Sequence, residues 1–123
     1  MRTKEQKARL IKWAEALESG KYKQGRGALK DKDQFCCLGV SCDVYRKQGQ
    51  PGRWGRISGT VEVFRCGDEW QVGVLPSKVA AYFGLSSTVQ STLIERNDGH
   101  QWGFPAIARH IRRLAGQKGK VRK

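Results

Sequence analysis

Residues 60–74 read Thr-Val-Glu-Val-Phe-Arg-Cys-Gly-Asp-Glu-Trp-Gln-Val-Gly-Val, and they decide the fold class, because the other segments read as helices or turns. Thr60 to Phe64 combine β-branched and aromatic residues, and Trp70-Gln71-Val72-Gly73-Val74 alternates large apolar residues with polar or small ones. Cys66-Gly67-Asp68-Glu69 supplies turn chemistry between them, so the stretch predicts a β-hairpin. Trp54 and Ile57, just upstream, add a short third strand. Gly49-Gln50-Pro51-Gly52 marks the turn that leads into it.

Helical periodicity surrounds this region on both sides. Upstream, Asp33 or Gln34 opens a helix from Phe35 to about Gln48, in which Cys37, Val40, Val44 and Tyr45 line one face. Leu38 and Cys42 widen that face, which places the helix centrally. Gly39 lies inside it, where glycine costs about 1 kcal/mol against alanine. The expected compensation is the close approach of another backbone, with the first helix as the neighbour. That first helix has Thr3 and Gln6 in capping-box spacing, then Leu10, Trp13, Ala14 and Leu17 on one face, and Gly20 as its stop. Residues 20–33 read as a structured loop rich in glycine and cations, anchored inward by Tyr22 and Leu29. Downstream, Pro76 starts a helix carrying Val79, Ala80 and Phe83, which Gly84 ends. One of Ser86, Ser87 and Thr88 caps another, with Val89 and Leu93 inward. Asn97-Asp98-Gly99 turns the chain into a last helix, Phe104 to Ala115. The expectation is an α+β fold, a mostly helical single domain of about five helices with a small β-hairpin near 60–74. Residues 1–116 form the compact domain and 117–123 a flexible basic tail.

The chain has 123 residues, 38% of them apolar and eleven aromatic, which suits one folded domain and argues against wholesale disorder. No apolar run reaches the roughly 20 residues of a membrane span. The charged N-terminus lacks an apolar signal core, so a cytoplasmic setting is expected. Net charge is +13, and residues 109–123 alone hold seven cations and no carboxylate. That asymmetry points to a polyanionic partner. Three basic groups stand out: Lys21, Lys23 and Arg26 in the glycine-containing loop; Arg53 and Arg56 flanking Trp54; and Arg109, Arg112 and Arg113 on the last helix, continued by Lys118 and Lys120. Arg109, Arg112 and Arg113 are spaced to share one flank, left free for phosphate. Leu93–Ile111 also has the outline of a helix-turn-helix, although its turn is longer than usual.

Four cysteines occur at 36, 37, 42 and 66, with no Cys-x-x-Cys pair, so neither a disulfide framework nor a zinc site is indicated. They read as reduced, mainly structural thiols. Cys36 and Cys37 sit near a helix N-terminus, whose partial positive charge lowers thiol pKa values. With Asp98 and His100 downstream they also outline a cysteine-dependent hydrolase, without the spacing such enzymes show. Signatures of nucleotide hydrolysis, serine hydrolysis and zincin chemistry are absent from the sequence.

Several segments together resemble a family of small uncharacterised phage and prophage proteins. They are Trp13 to Gln24 with Gly27-Ala28-Leu29, the distinctive Phe35-Cys36-Cys37-Leu38-Gly39-Val40-Ser41-Cys42-Asp43, Val74-Leu75-Pro76 with Phe83-Gly84-Leu85, and Leu93 to Asp98 with Phe104, Ile107-Ala108 and Ile111. The resemblance implies phage origin and an intracellular setting, and it carries over no catalytic residue. The expected function is that of a non-enzymatic accessory protein that binds nucleic acid, DNA or RNA, through its basic surfaces, with no cofactor or metal. The alternatives are a host-takeover or anti-defence inhibitor, binding a host protein or a signalling nucleotide, and the cysteine-dependent hydrolase.

Overall fold

Thr3 and Gln6 cap each other at the start of α1 (Lys4–Glu18): the Thr3 hydroxyl accepts from the Gln6 N–H, and the Gln6 side chain accepts from the Thr3 N–H. The computed structural model describes residues 2–99 and 102–116. Leu10, Trp13, Ala14 and Leu17 of α1 are all buried, as their spacing requires.

The following loop is more ordered than its composition suggests. It contributes β1 (Lys23–Gln24) and β2 (Lys30–Asp31), and residues expected to open the second helix form β3 (Gln34–Phe35) instead. β3 pairs in parallel with β1 and antiparallel with β2. The Phe35 ring meets Tyr22 and Trp54 edge to face, which favours the extended backbone there over helix. The helix α2 therefore begins at Cys37 and runs to Lys47, and its cap is Cys36, whose sulfur accepts from the Gly39 N–H. Cys37 to Tyr45 are all buried, so α2 is the central helix. The close neighbour of Gly39 is the Leu29 backbone rather than α1: a Cβ at Gly39 would lie 1.9 Å from the Leu29 carbonyl oxygen.

Three further strands are β4 (Arg53–Ser58), β5 (Val61–Cys66) and β6 (Glu69–Gln71). β4 pairs antiparallel with one edge of β5, and β2 and β6 share its other edge. The strand order is β1-β3-β2-β5-β4, with β6 on β5. Both hairpin turns are short, Gly59-Thr60 and Gly67-Asp68, and each puts glycine at positive φ (55° and 60°) in its first position. Tight hairpins favour that geometry because it matches strand twist.

After β6 come α3 (Ser77–Phe83), closed by Gly84 at φ 73°, and α4 (Ser87–Ile94), capped by Ser86. The Asn97-Asp98-Gly99 segment is part of a π-helical turn, Glu95–Gly99, and not a simple stop. α5 (Phe104–Leu114) buries Phe104, Ile107, Ala108 and Ile111 and packs along α1. The described residues form an α+β domain of five α-helices and a small mixed sheet. No helix among the described residues is long and apolar enough to cross a membrane. The expected tail, 117–123, lies outside the described residues.

Candidate nucleic-acid interface

The inner face of the sheet shows why Trp54 is not a surface platform. Its ring lies edge-on between Phe35 and Phe64, and its indole N–H donates to Asp43 at 3.1 Å. The side chain of Asp43 is 7% exposed and also accepts from the Tyr22 hydroxyl at 2.7 Å and from Arg46 at 2.8 Å. Burial works against ionising Asp43, but the hydrogen bonds from Tyr22, Arg46 and Trp54 outweigh it and hold its carboxyl below the usual range. A depressed folded-state pKa gives stability that is complete above the unfolded value near 4 and is lost as pH falls through the folded value. Urea unfolding from about pH 7 down to about pH 2 checks this: Asp43→Asn is expected to be less stable at neutral pH and to lose less on acidification than the wild type.

The outer face is different. Side chains alternate along a strand, so Arg53 and Arg65 point away from Trp54 and Phe64. Arg53 is paired directly with Arg65, and Arg65 with Trp70, which sets the three in one row across β4, β5 and β6. All three are exposed, Trp70 to 48%. Gly55 makes room for the Arg65 side chain: a Cβ there would meet the Arg65 Nε at 3.4 Å. Like charges directly opposite on paired strands are destabilising. Among the described residues no acid offsets this pair: Glu62 is engaged with Lys30 at 3.3 Å, Asp31 with the Thr60 hydroxyl, and Glu69 with Ser77 at 2.6 Å. Asp68 sits at the tip of the turn.

The remaining basic residues do not gather into a single patch with this row. Lys21 and Lys23 are exposed, but β1 and β4 stand at opposite ends of the strand order, which separates Lys23 from Arg53. Arg26 is committed to structure, since its Nε donates to the Asn97 carbonyl at 2.9 Å. Arg56 is exposed on β4, paired with Glu62 rather than Arg65. On α5 the flank expected to be free is divided. Arg112 donates to Glu18 at 2.7 Å and ties α5 to α1, whereas Arg109 and Arg113 are exposed. Lys118 and Lys120 lie outside the described residues. The spacing of Arg112 was legible, but not the acid of α1 that claims it. Arg65 and Trp70 were missed as site residues, although a two-residue Gly67-Asp68 turn fixes a register that places them opposite each other.

The family model described as a domain of unknown function, DUF8296, matches residues 4–114, from the first residue of α1 to the last of α5. The chain belongs to the DUF8296 family. No curated protein and no solved structure matches it.

In this DUF8296 protein the thiols behave opposite to the expectation from the helix N-terminus. Burial pushes the Cys36 thiol up to about 11 and that of Cys37 well above the ordinary value, outweighing the backbone hydrogen bonds that lower it. Both line a cavity of about 230 Å³ with Ile94, Asn97 and Asp98. A thiol held protonated is a poor nucleophile at neutral pH. His100, the proposed partner in the hydrolase reading, lies outside the described residues. Among those described, no group of three or more His, Cys, Asp and Glu is placed to hold a metal ion.

Proposed function

We propose that this DUF8296 protein is a small, non-enzymatic phage-type accessory protein that binds nucleic acid through basic surfaces, with the Arg53–Arg65–Trp70 row as the principal one. The supporting observation is the pairing of Arg53 directly with Arg65, without an offsetting acid among the described residues, beside an exposed tryptophan. Such a pair costs stability in the free protein, and a phosphate backbone relieves it. The net charge of +13 adds long-range attraction for the same ligand.

The test is a salt series with labelled DNA and RNA. Removing both cations in Arg53→Ala/Arg65→Ala is expected to lower the slope of log affinity against log salt by about 0.7–0.9 for each phosphate the protein then leaves unneutralised. Arg53→Glu separates function from fold: it sets an acid opposite Arg65, so binding should collapse while the melting temperature holds or rises. Failure of the wild type to bind either polymer at about 50 mM salt overturns the proposal. Retention of a partner from host extract at high salt would instead favour a host protein, the alternative reading.

A further inference from the structure

We infer that the ligand is unpaired, single-stranded nucleic acid, whose bases stack on the exposed ring of Trp70 while its phosphates meet Arg65 and Arg53. This deepens the proposed function and rests on it. The first support is a comparison of the four tryptophans. Trp13 is fully buried, and its indole N–H donates to the Cys37 carbonyl at 2.9 Å. Trp54 is enclosed by Phe35 and Phe64 and bonded to Asp43. Trp102 carries the Arg96 guanidinium 4.9 Å from its ring centre and meets His110 edge-on. Trp70 alone among them has neither a ring partner, a stacked cation nor a hydrogen bond for its N–H among the described residues, and it is 48% exposed. A large aromatic with half of its surface open in this way offers a face for stacking.

The second support is the shape of the surface. The row runs across three strands about 4.8 Å apart, and Gly55 beside it adds no side chain. A duplex offers protein only phosphates and base edges, because its base faces are stacked inside. Reading those edges takes a helix or ribbon that enters a groove, whereas this row lies across the face of the three strands β4, β5 and β6. Unpaired bases expose their faces, and a tryptophan beside cations accepts base and phosphate together. Arg65 stands between Arg53 and Trp70 in the strand register, so a chain laid across the row meets the ring first and then the two arginines.

The experiment uses the full chain with three probes of about 15 nucleotides or base pairs each, oligothymidylate DNA, oligouridylate RNA and a mixed-sequence duplex. Either single strand is expected to bind at least about 5-fold tighter than the duplex and to quench tryptophan fluorescence. Trp70→Ala should erase both the preference and the quenching, and Trp70→Phe should keep the preference while losing the quenching. Circular dichroism and a thermal melt of Trp70→Ala check that the fold is kept, and Trp70→Phe retains the ring where truncation unfolds the chain. Equal affinity for duplex and single strands, or an unaltered preference in Trp70→Ala, overturns the single-strand inference. If the Arg53→Ala/Arg65→Ala variant is still impaired in that case, the broader proposal survives. A wild type that binds none of the probes overturns both.

Discussion

Gly39→Ala is expected to destabilise the protein by about 3 kcal/mol or more, beyond the usual cost of core overpacking. Within a helix, glycine to alanine ordinarily stabilises, by about 1 kcal/mol. Here the added methyl would stand 1.9 Å from the Leu29 carbonyl oxygen and 2.8 Å from its carbon, so backbone must move. Leu29 has little freedom to do so. Its side chain is fully buried, its N–H donates to the Val72 carbonyl at 2.7 Å, and its carbonyl accepts from the Cys36 N–H at 3.2 Å. One methyl group therefore strains the joint between α2, its cap and the segment after β6. Gly73→Ala is the control, since nothing lies within 4 Å of a Cβ there, and it should stay within about 0.5 kcal/mol of wild type. Denaturant unfolding of the two variants reads the difference. Near-equal stability of Gly39→Ala and wild type would mean that the close approach does not shape the fold.

Asn97→Asp should have a comparable effect, a loss of about 3–5 kcal/mol at neutral pH, as when a buried charge is left uncompensated. Asn97 is fully buried, and its amide is used on both sides. Its nitrogen donates to the Gly25 carbonyl at 2.9 Å and to Asp98 at 2.8 Å, and its oxygen accepts from Gln24 at 2.9 Å and from the Cys37 N–H at 3.3 Å. These bonds join the loop before β2, the start of α2 and the π-helical turn. A carboxylate in its place turns an oxygen towards the Gly25 carbonyl and the Asp98 carboxylate, so both donated hydrogen bonds are lost and two negative charges meet. Protonation restores a donor, and a carboxyl whose folded pKa is raised gives more stability at low pH. The deficit of Asn97→Asp should therefore shrink as pH falls towards about 4. Thermal melts over that range check this; a deficit independent of pH would contradict the assigned hydrogen bonds.

The elements that follow one strong periodicity were legible in the sequence: α1 from Leu10, Trp13, Ala14 and Leu17, α5 from Phe104, Ile107 and Ile111, and the hairpin from Gly67-Asp68 between two β-like runs. The start of α2 was not, because Phe35 serves equally as a helical or an extended residue. Only its contacts with Tyr22 and Trp54, distant in sequence, select the strand. The role of Gly39 as a close-approach site follows from its helical position, whereas the identity of its neighbour depends on how residues 25–31 fold back. The basic surface was legible as charge and not as geometry. Trp54 between two arginines has the look of a binding motif, but strand alternation turns its ring inward and leaves Arg53 to pair with Arg65 and, beyond it, Trp70. Arg112 likewise counts as a free cation in sequence and is held by Glu18 in space.

The most direct test of the account is to titrate the isotopically labelled protein with an oligonucleotide and follow backbone amide and tryptophan indole resonances by NMR. The account predicts that the largest shifts fall on 53–56, 63–66 and 69–71, together with the Trp70 indole N–H, while the indoles of Trp13 and Trp54 stay in place. Shifts concentrated on α5 or on residues 21–26, with 53, 65 and 70 unmoved, would contradict it.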